Sequence, residues 1–216
     1  MKPNHHLDDS TLLAYAAGTL EEAFTVVAAS HIAVCPDCRR AVRAAEALGG
    51  ELLEQAAEAA VSADCRSRTF AALEQAGLYR LPVPAPRPAF PRPLAQLLPV
   101  ARLEDLTWKR KAPGVAIFDV KLPTSAKGQL KLLRIGAGRA MPEHGHGGEE
   151  ITMVLKGAYH DHMGRFAEGD VADLDEDIEH RPVVDMDGDC ICLVATERPT
   201  RFKSLAARLM QPFVGI

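Results

Sequence analysis

The sequence predicts an α+β protein of two domains, a small helical bundle followed by an all-β sandwich or barrel. Residues before position 79 carry helical patterning, and residues after position 98 form short runs of alternating apolar residues. A proline-rich stretch, "YRLPVPAPRPAFPRP", separates them. Because proline lacks a backbone donor and favours extended chain, we expect a semi-rigid spacer there. The predicted boundaries are 1–80 for the helical domain, 81–98 for the linker and 99–216 for the β domain.

Four helices are predicted in the first domain. The first, in "DDSTLLAYAAG", has Asp and Ser as caps and ends at Gly18. The second begins with Thr19 and Glu22 in a capping-box arrangement. Pro36 favours the start of the third, and "CRSRTFAALEQAGLY" is the fourth. These Ala-rich segments predict a compact bundle with few aromatic residues.

The second domain is predicted to be all-β. Its strand-like runs are separated by Gly, Pro and acidic turns, which is typical of an antiparallel sandwich or barrel. The runs are "GVAIFDVKL", "GQLKLLRIG", "EEITMVLKGAYHD", "GDVADLD" and "DCICLVATE".

Composition and charge exclude several classes of protein. The 216 residues have 47% hydrophobic and 25% charged content, which is ordinary for a globular protein. A net charge of −4 argues against direct nucleic-acid binding. No apolar run reaches the roughly 20 residues that cross a bilayer, and the first residues lack the apolar stretch of a signal peptide. We therefore expect a cytoplasmic protein without a membrane partner, in which thiols stay reduced.

The run "HIAVCPDC" predicts a metal site in the helical domain. Cys35 and Cys38 can reach one ion across a turn, and His31 lies one helical turn before Cys35 on the same face. Two thiolates and two imidazoles are a usual closed ligand set for zinc. A thioredoxin-like redox pair would need a βαβ setting, which this half lacks. The fourth ligand would come from His5 or His6, between which spacing does not decide.

A second metal motif lies in the β domain. In "GRAMPEHGHGGEEITMVLKG", His144 and His146 are two residues apart and can point to one side of a strand. Glu150 is an even number of residues after both histidines. Its side chain can therefore lie on the same side as theirs if the intervening turn preserves the alternation. From Gly138 to Gly157 the run matches the first cupin motif, G-x5-H-x-H-x3-E-x6-G, at every fixed position.

The second cupin motif is present in part. Gly169 and Asp170 form the expected turn, and His180 stands where this motif supplies its histidine. The Pro and Gly usual in the motif are Asp175 and Asp177 here, and its later Asn is absent. Three histidines and one glutamate would form a site for zinc or another divalent transition metal. The resemblance therefore implies a cupin β-barrel or jelly roll.

The first half resembles the zinc-binding domain of bacterial anti-sigma factors, and the order of domains resembles the ChrR type. The resemblance rests on His31-x3-Cys35-x2-Cys38 after "LLAYAAGTLEEAFTVVAAS", and it implies His6 as the fourth zinc ligand. It also implies a protein that binds an extracytoplasmic-function sigma factor and occludes its polymerase-binding surface. Release would follow when singlet oxygen or organic hydroperoxide acts on the cupin domain.

The remaining cysteines have candidate roles. Cys190 and Cys192 face the same side of a strand-like run. They are candidate redox residues, although buried packing is the simpler interpretation. Cys65 begins the last predicted helix, where packing is again the simpler role.

Three functions follow in order of preference. The first is a stress-responsive anti-sigma factor with no enzymatic activity and no catalytic residues. The alternative is a cupin metalloenzyme, a dioxygenase or isomerase, with a helical zinc-binding appendage. A DNA-binding regulator ranks third because the chain is acidic and has no basic recognition helix.

Overall fold

A computed structural model describes residues 2–75, 89–122 and 128–202. Helices occupy the N-terminal part, as the sequence predicts. The third helix continues without a break through Gly49 and Gly50. A 3₁₀ turn, Leu103–Asp105, precedes the strands. The helices are α1 (Asp9–Ala16), α2 (Glu22–Val34), α3 (Pro36–Glu54), α4 (Cys65–Gln75) and α5 (Arg92–Ala95).

The strands form three antiparallel sheets, which confirms the predicted cupin-like β fold. The largest has the order β1-β2-β3-β11-β5-β8, and two three-stranded sheets have the orders β10-β6-β7 and β12-β4-β9. The strands are β1 (Lys109–Ala112), β2 (Val115–Asp119), β3 (Gln129–Ile135), β4 (His144–Gly145), β5 (Glu150–Lys156), β6 (Ala158–Asp161), β7 (Gly164–Ala167), β8 (Val171–Leu174), β9 (Glu179–His180), β10 (Val183–Val184), β11 (Cys190–Thr196) and β12 (Arg201–Phe202).

The six-stranded sheet is buried on both faces. Along β11, Cys190 and Cys192 point into the sandwich, whereas Ile191 and Leu193 point to the other face. Because side chains alternate along a strand, this pattern needs two covering layers. The smaller sheets supply one of them, through side chains such as Tyr159.

Helix α2 covers the outer face of that sheet. Phe24 and Val27 of α2 belong to the same hydrophobic cluster as Leu132 and Leu193 of the sheet. Leu94 of α5 is also fully buried there. The helices and the β-sandwich therefore share one continuous core.

Residues 89–98, the last ten of the predicted linker, are folded against this core. They contain α5, and Phe90, Leu94 and Leu98 are all buried. The other residues of the predicted linker, 81–88, lie outside the described residues.

Helix α4 does not pack into the bundle. It buries none of its side chains, and Phe70 and Leu73 are 55% and 63% exposed. The second half of α3 is similar, because Leu48 and Leu52 are also exposed. The sequence predicted a bundle that includes the fourth helix; instead, α4 buries no side chain against the described parts of the chain.

Among the described residues, no helix has the length and apolar character needed to cross a membrane.

Candidate functional site

The four predicted ligands of the helical domain come together. The side chains of His6, His31, Cys35 and Cys38 each offer a ligand atom, and all four atoms lie within 4.8 Å of one another. Nδ1 of His6 is 3.3 Å from Sγ of Cys35 and 3.7 Å from Sγ of Cys38, and Nε2 of His31 is 3.3 Å from Sγ of Cys38. The ligand atoms of a tetrahedral zinc site lie roughly 3.5 Å apart. The cluster could therefore hold a metal ion.

The junction of α2 and α3 positions three of these side chains. Cys35 leaves the helical conformation at the end of α2 and caps α3, and its Sγ accepts a hydrogen bond from the Cys38 backbone N–H. Pro36 begins α3, where its missing N–H costs nothing. His31 is in the last turn of α2, so its ring reaches the capping turn. The structure places His6 in the cluster, whereas His5 stacks on Phe166.

Burial shifts the pKa of two side chains in this cluster. It lowers the pKa of His31 to about 4, so the imidazole is neutral and can act as a ligand near neutral pH. It raises the pKa of the Cys38 thiol to about 11. A bound cation deprotonates such a thiol, so metal binding at this site would release protons.

A second cluster lies between the sheets of the β-sandwich. His144, His146 and His180 bring ring nitrogens within 4.8 Å of one another. Pairing of β4 with β9 sets His144 opposite His180, with their Nε2 atoms 3.1 Å apart. Both ring nitrogens of His146 are buried; Nε2 has no hydrogen-bond partner among the described residues, and Nδ1 lies beside the Glu150 carboxylate. Buried polar atoms without partners are costly, so this arrangement fits a metal ion that would accept the lone pairs.

Glu150 lies next to the three histidines, but its carboxylate is not one of the ligand atoms that all lie within 4.8 Å of one another. Its Oε2 is 3.3 Å from Nδ1 of His146, and its Oε1 accepts a hydrogen bond from the Thr152 hydroxyl. Burial raises the pKa of Glu150, but the contact with His146 and the other histidines outweighs it, and the net pKa is lowered. Burial lowers the pKa of His144 and His180. A carboxylate beside imidazole nitrogens is a donor set suited to a divalent cation.

Asp161 supports the second cluster, and sequence reasoning missed it. Its buried carboxylate Oδ2 lies 2.9 Å from Nδ1 of His180, so this nitrogen donates and leaves Nε2 facing His144. Carboxylates that hold a ligand histidine in this way are common around metal sites. The signal was present in "YHDHM", where the aspartate lies between two histidines.

An apolar cavity of about 530 Å³ opens beside the three histidines. Aliphatic and aromatic side chains from both layers of the sandwich form most of its wall, and His144, Glu150 and His180 form one part of it. A small, largely apolar molecule could therefore reach a metal ion bound here. The apolar lining includes Leu133, Ile135, Met141, Tyr159, Val184, Val194 and Phe202.

Cys190 and Cys192 also line this cavity. Their Sγ atoms are 3.6 Å apart and both side chains are buried. The hydrogen bond with Cys190 and burial raise the pKa of Cys192 well above its ordinary value. Cys65, by contrast, is exposed at the start of α4.

The antiparallel sandwich with a three-histidine cluster between its sheets defines a cupin-type domain, and a helical unit with a Cys2His2 cluster precedes it. Residues 99–199 match the family model described as the ChrR cupin-like domain. The chain is 43% identical, over the full length of both proteins, to the anti-sigma-E factor ChrR of Cereibacter sphaeroides. It also resembles the crystal structure of Rhodobacter sphaeroides SigE in complex with the anti-sigma ChrR. That match has 42% identity and a TM-score of 0.75, and it covers 90% of this chain and 100% of that one.

The chain belongs to the ChrR family of anti-sigma factors. This confirms the predicted family and identifies an anti-sigma protein rather than an enzyme.

Proposed function

We propose that this protein binds an extracytoplasmic-function sigma factor and occludes the surface that the sigma factor needs for RNA polymerase. The observation that carries the proposal is the 43% identity to an anti-sigma factor over the whole chain. The structural relative was solved in complex with SigE. A sigma factor acts on cytoplasmic RNA polymerase, so the proposal also puts this protein in the cytoplasm.

The exposed apolar residues of α3 and α4 are the proposed sigma-binding surface. Leu48 and Leu52 are one helical turn apart on α3, and Phe70 and Leu73 share a face of α4. Exposed apolar side chains grouped in this way favour a protein partner over solvent. A sigma factor that buried them would gain hydrophobic stabilisation, and the helices would block its contact with polymerase.

Zinc is the proposed metal of the first site. Two thiols and two imidazoles at near-tetrahedral spacing are a set that zinc prefers, and the side chains other than His6 are buried. His6, His31, Cys35 and Cys38 would hold the ion and fix the junction of α2 and α3. When bound, the ion stabilises thiolates at neutral pH and supplies folding free energy to the helical unit.

The cupin domain is the proposed sensor of oxidative stress, responding to singlet oxygen or to an organic hydroperoxide. The apolar cavity supports an organic signal because its wall would bind the hydrocarbon part of a hydroperoxide. His144, His146, Glu150 and His180 would hold zinc or another divalent transition metal, which polarises an oxygen atom brought near it.

The redox role of Cys190 and Cys192 stays a prediction. A hydroperoxide that oxidised one thiol to a sulfenic acid would leave as its alcohol, and condensation with the second thiol would release water. The 3.6 Å separation of the sulfurs supports such a step. The raised pKa of Cys192 opposes it, because little of the reactive thiolate is present.

Co-purification tests the proposed function. The full chain is co-expressed with each extracytoplasmic-function sigma factor of its organism, and the isolated complex is analysed for metal. We expect a tight complex containing zinc, which the Cys35→Ala/Cys38→Ala variant fails to form. Asp189→Ala is the control, because Asp189 pairs with Arg134 on the β domain, outside both clusters and outside α3 and α4. A folded, metal-loaded protein that binds none of these sigma factors would contradict the proposal.

A further inference from the structure

Among the described residues, a short segment of the β-sandwich touches the metal cluster of the helical domain. This segment is the turn after β7, residues 168–170, which lies against the end of α2 and against the chain that leads to His6. Gly169 has a φ of +93°, and a Cβ there would lie 3.3 Å from Pro3. The left-handed φ and this tight contact together favour glycine at position 169.

The first contact is between a predicted ligand and a backbone carbonyl. Nδ1 of His31 lies 2.9 Å from the carbonyl oxygen of Gly169, to which it donates a hydrogen bond. The bond leaves Nε2 without a proton, and Nε2 is the atom that faces Sγ of Cys38. An outer hydrogen bond of this kind fixes the tautomer and orientation of a ligand histidine.

The second contact fixes the chain before His6. The carboxylate of Asp170 is buried, and its Oδ1 accepts the backbone N–H groups of Asn4 at 2.6 Å and His5 at 3.0 Å. Its Oδ2 accepts the backbone N–H of Ala167 at 2.8 Å, which ties it to the turn. The two residues before His6 are thus held by a side chain of the β-sandwich.

The His5 ring adds a third contact. It stacks on Phe166 with ring centroids 4.1 Å apart, and its Nε2 lies 3.2 Å from the Arg165 carbonyl oxygen. Phe166 in turn stacks on Tyr159, which lines the cavity of the cupin domain. The β6–β7 hairpin therefore contacts the approach to His6 on one side and the cupin cavity on the other.

We infer that the cupin domain completes the N-terminal metal site. The Gly169 carbonyl and Asp170 are positioning groups that orient His31 and His6, so retention of the metal by the helical unit depends on the turn after β7. The inference rests on the proposed metal binding by this cluster. The three backbone N–H groups that Asp170 accepts stabilise its buried charge, because an unsatisfied charge there would be costly.

Cobalt(II) binding by the full chain tests the inference. The probe is cobalt(II) alone, followed by its thiolate charge-transfer absorption. This absorption reports cobalt held by Cys35 and Cys38, because no thiol is among the mutually close ligand atoms of the cupin cluster. For Asp170→Ala we expect cobalt affinity at this site to fall by about 10- to 100-fold, as for other outer hydrogen-bonding partners. Asp189→Ala is the control, because Asp189 pairs with Arg134 on the β domain. The control is expected to bind as wild type does.

His5→Ala keeps the test decisive if Asp170→Ala fails to fold, since it removes the stacking and side-chain contacts but leaves Asp170 in place. We expect a smaller loss of affinity, with circular dichroism unchanged. Folded variants that both bind cobalt as tightly as wild type would overturn the inference while leaving the proposed function standing. A wild-type chain that shows no thiolate absorption would instead refute the metal site itself, and with it this inference.

Discussion

Nδ1 of His180 lies 2.9 Å from the Asp161 carboxylate, and both side chains are buried inside the cupin domain. We expect Asp161→Ala to reduce metal affinity at the cupin cluster by about 10- to 100-fold, because His180 loses the partner that sets its tautomer. Elemental analysis after dialysis against graded chelator measures the change. His162→Ala, one residue away and outside the cluster, is expected to retain its metal. Equal metal content in the two variants would contradict the assigned role of Asp161.

Acidic substitutions on α4 are expected to weaken sigma binding. In the proposed complex Phe70→Asp and Leu73→Asp each place a charge in an apolar contact, and a loss of about 2 kcal/mol, roughly 30-fold in Kd, is typical of a central interface residue. Calorimetric titration with the sigma factor measures it. Ala72→Asp introduces the same charge on a different face of the helix and should bind within a few-fold of wild type. If all three variants bind alike, α4 is not the contact surface.

Asp173 makes stability depend on pH. Burial raises its pKa, and hydrogen bonds from the Asp8 backbone N–H and the Thr11 hydroxyl lower it only in part. The native state therefore holds this proton more tightly than the unfolded chain, and the stability that it contributes at acidic pH is lost as pH rises through the native pKa. Asp173→Asn should remove this dependence. Its free energy of unfolding should therefore increase relative to that of wild type as pH rises from the pKa of Asp173 in the unfolded chain to its pKa in the native state.

Urea unfolding at a series of pH values measures this difference. Asp175→Asn changes an exposed residue of the next turn and should keep the wild-type profile. A constant difference between wild type and Asp173→Asn at every pH would show that Asp173 does not titrate differently on folding.

The order of thiol oxidation decides the redox prediction. Cys65 is exposed at a helix N-terminus, whereas Cys190 and Cys192 are buried and the pKa of Cys192 is raised. We therefore expect cumene hydroperoxide to oxidise Cys65 well before either buried cysteine in the metal-loaded protein, as followed by mass spectrometry of its peptides. Oxidation of Cys190 or Cys192 as fast as that of Cys65 would instead favour a redox sensor in the cupin domain.

The sequence by itself determined the secondary-structure classes, the family and the two clusters. His31, Cys35 and Cys38 lie within eight residues of a helix and its capping turn, and His144 and His146 are two apart on one side of the chain. Such short spacings fix the relative directions of side chains through local backbone geometry alone. That is why these residues could be predicted from the sequence.

Only the tertiary structure decided which partners surround them. Spacing left His5 and His6 undecided, and only the family resemblance implied His6. The support of His180 by Asp161 and the contact between His31 and Gly169 depend on chain segments that spacing does not relate. The last of these joins residues 138 positions apart. Packing of α2 on the outer face of the sheet had one signal in the sequence. Strand β11 is apolar at six of its seven positions, and β5 has three consecutive apolar residues at 153–155, where an exposed face would need alternation. Such strands need cover on both faces, but which part of the chain provides it depends on long-range packing.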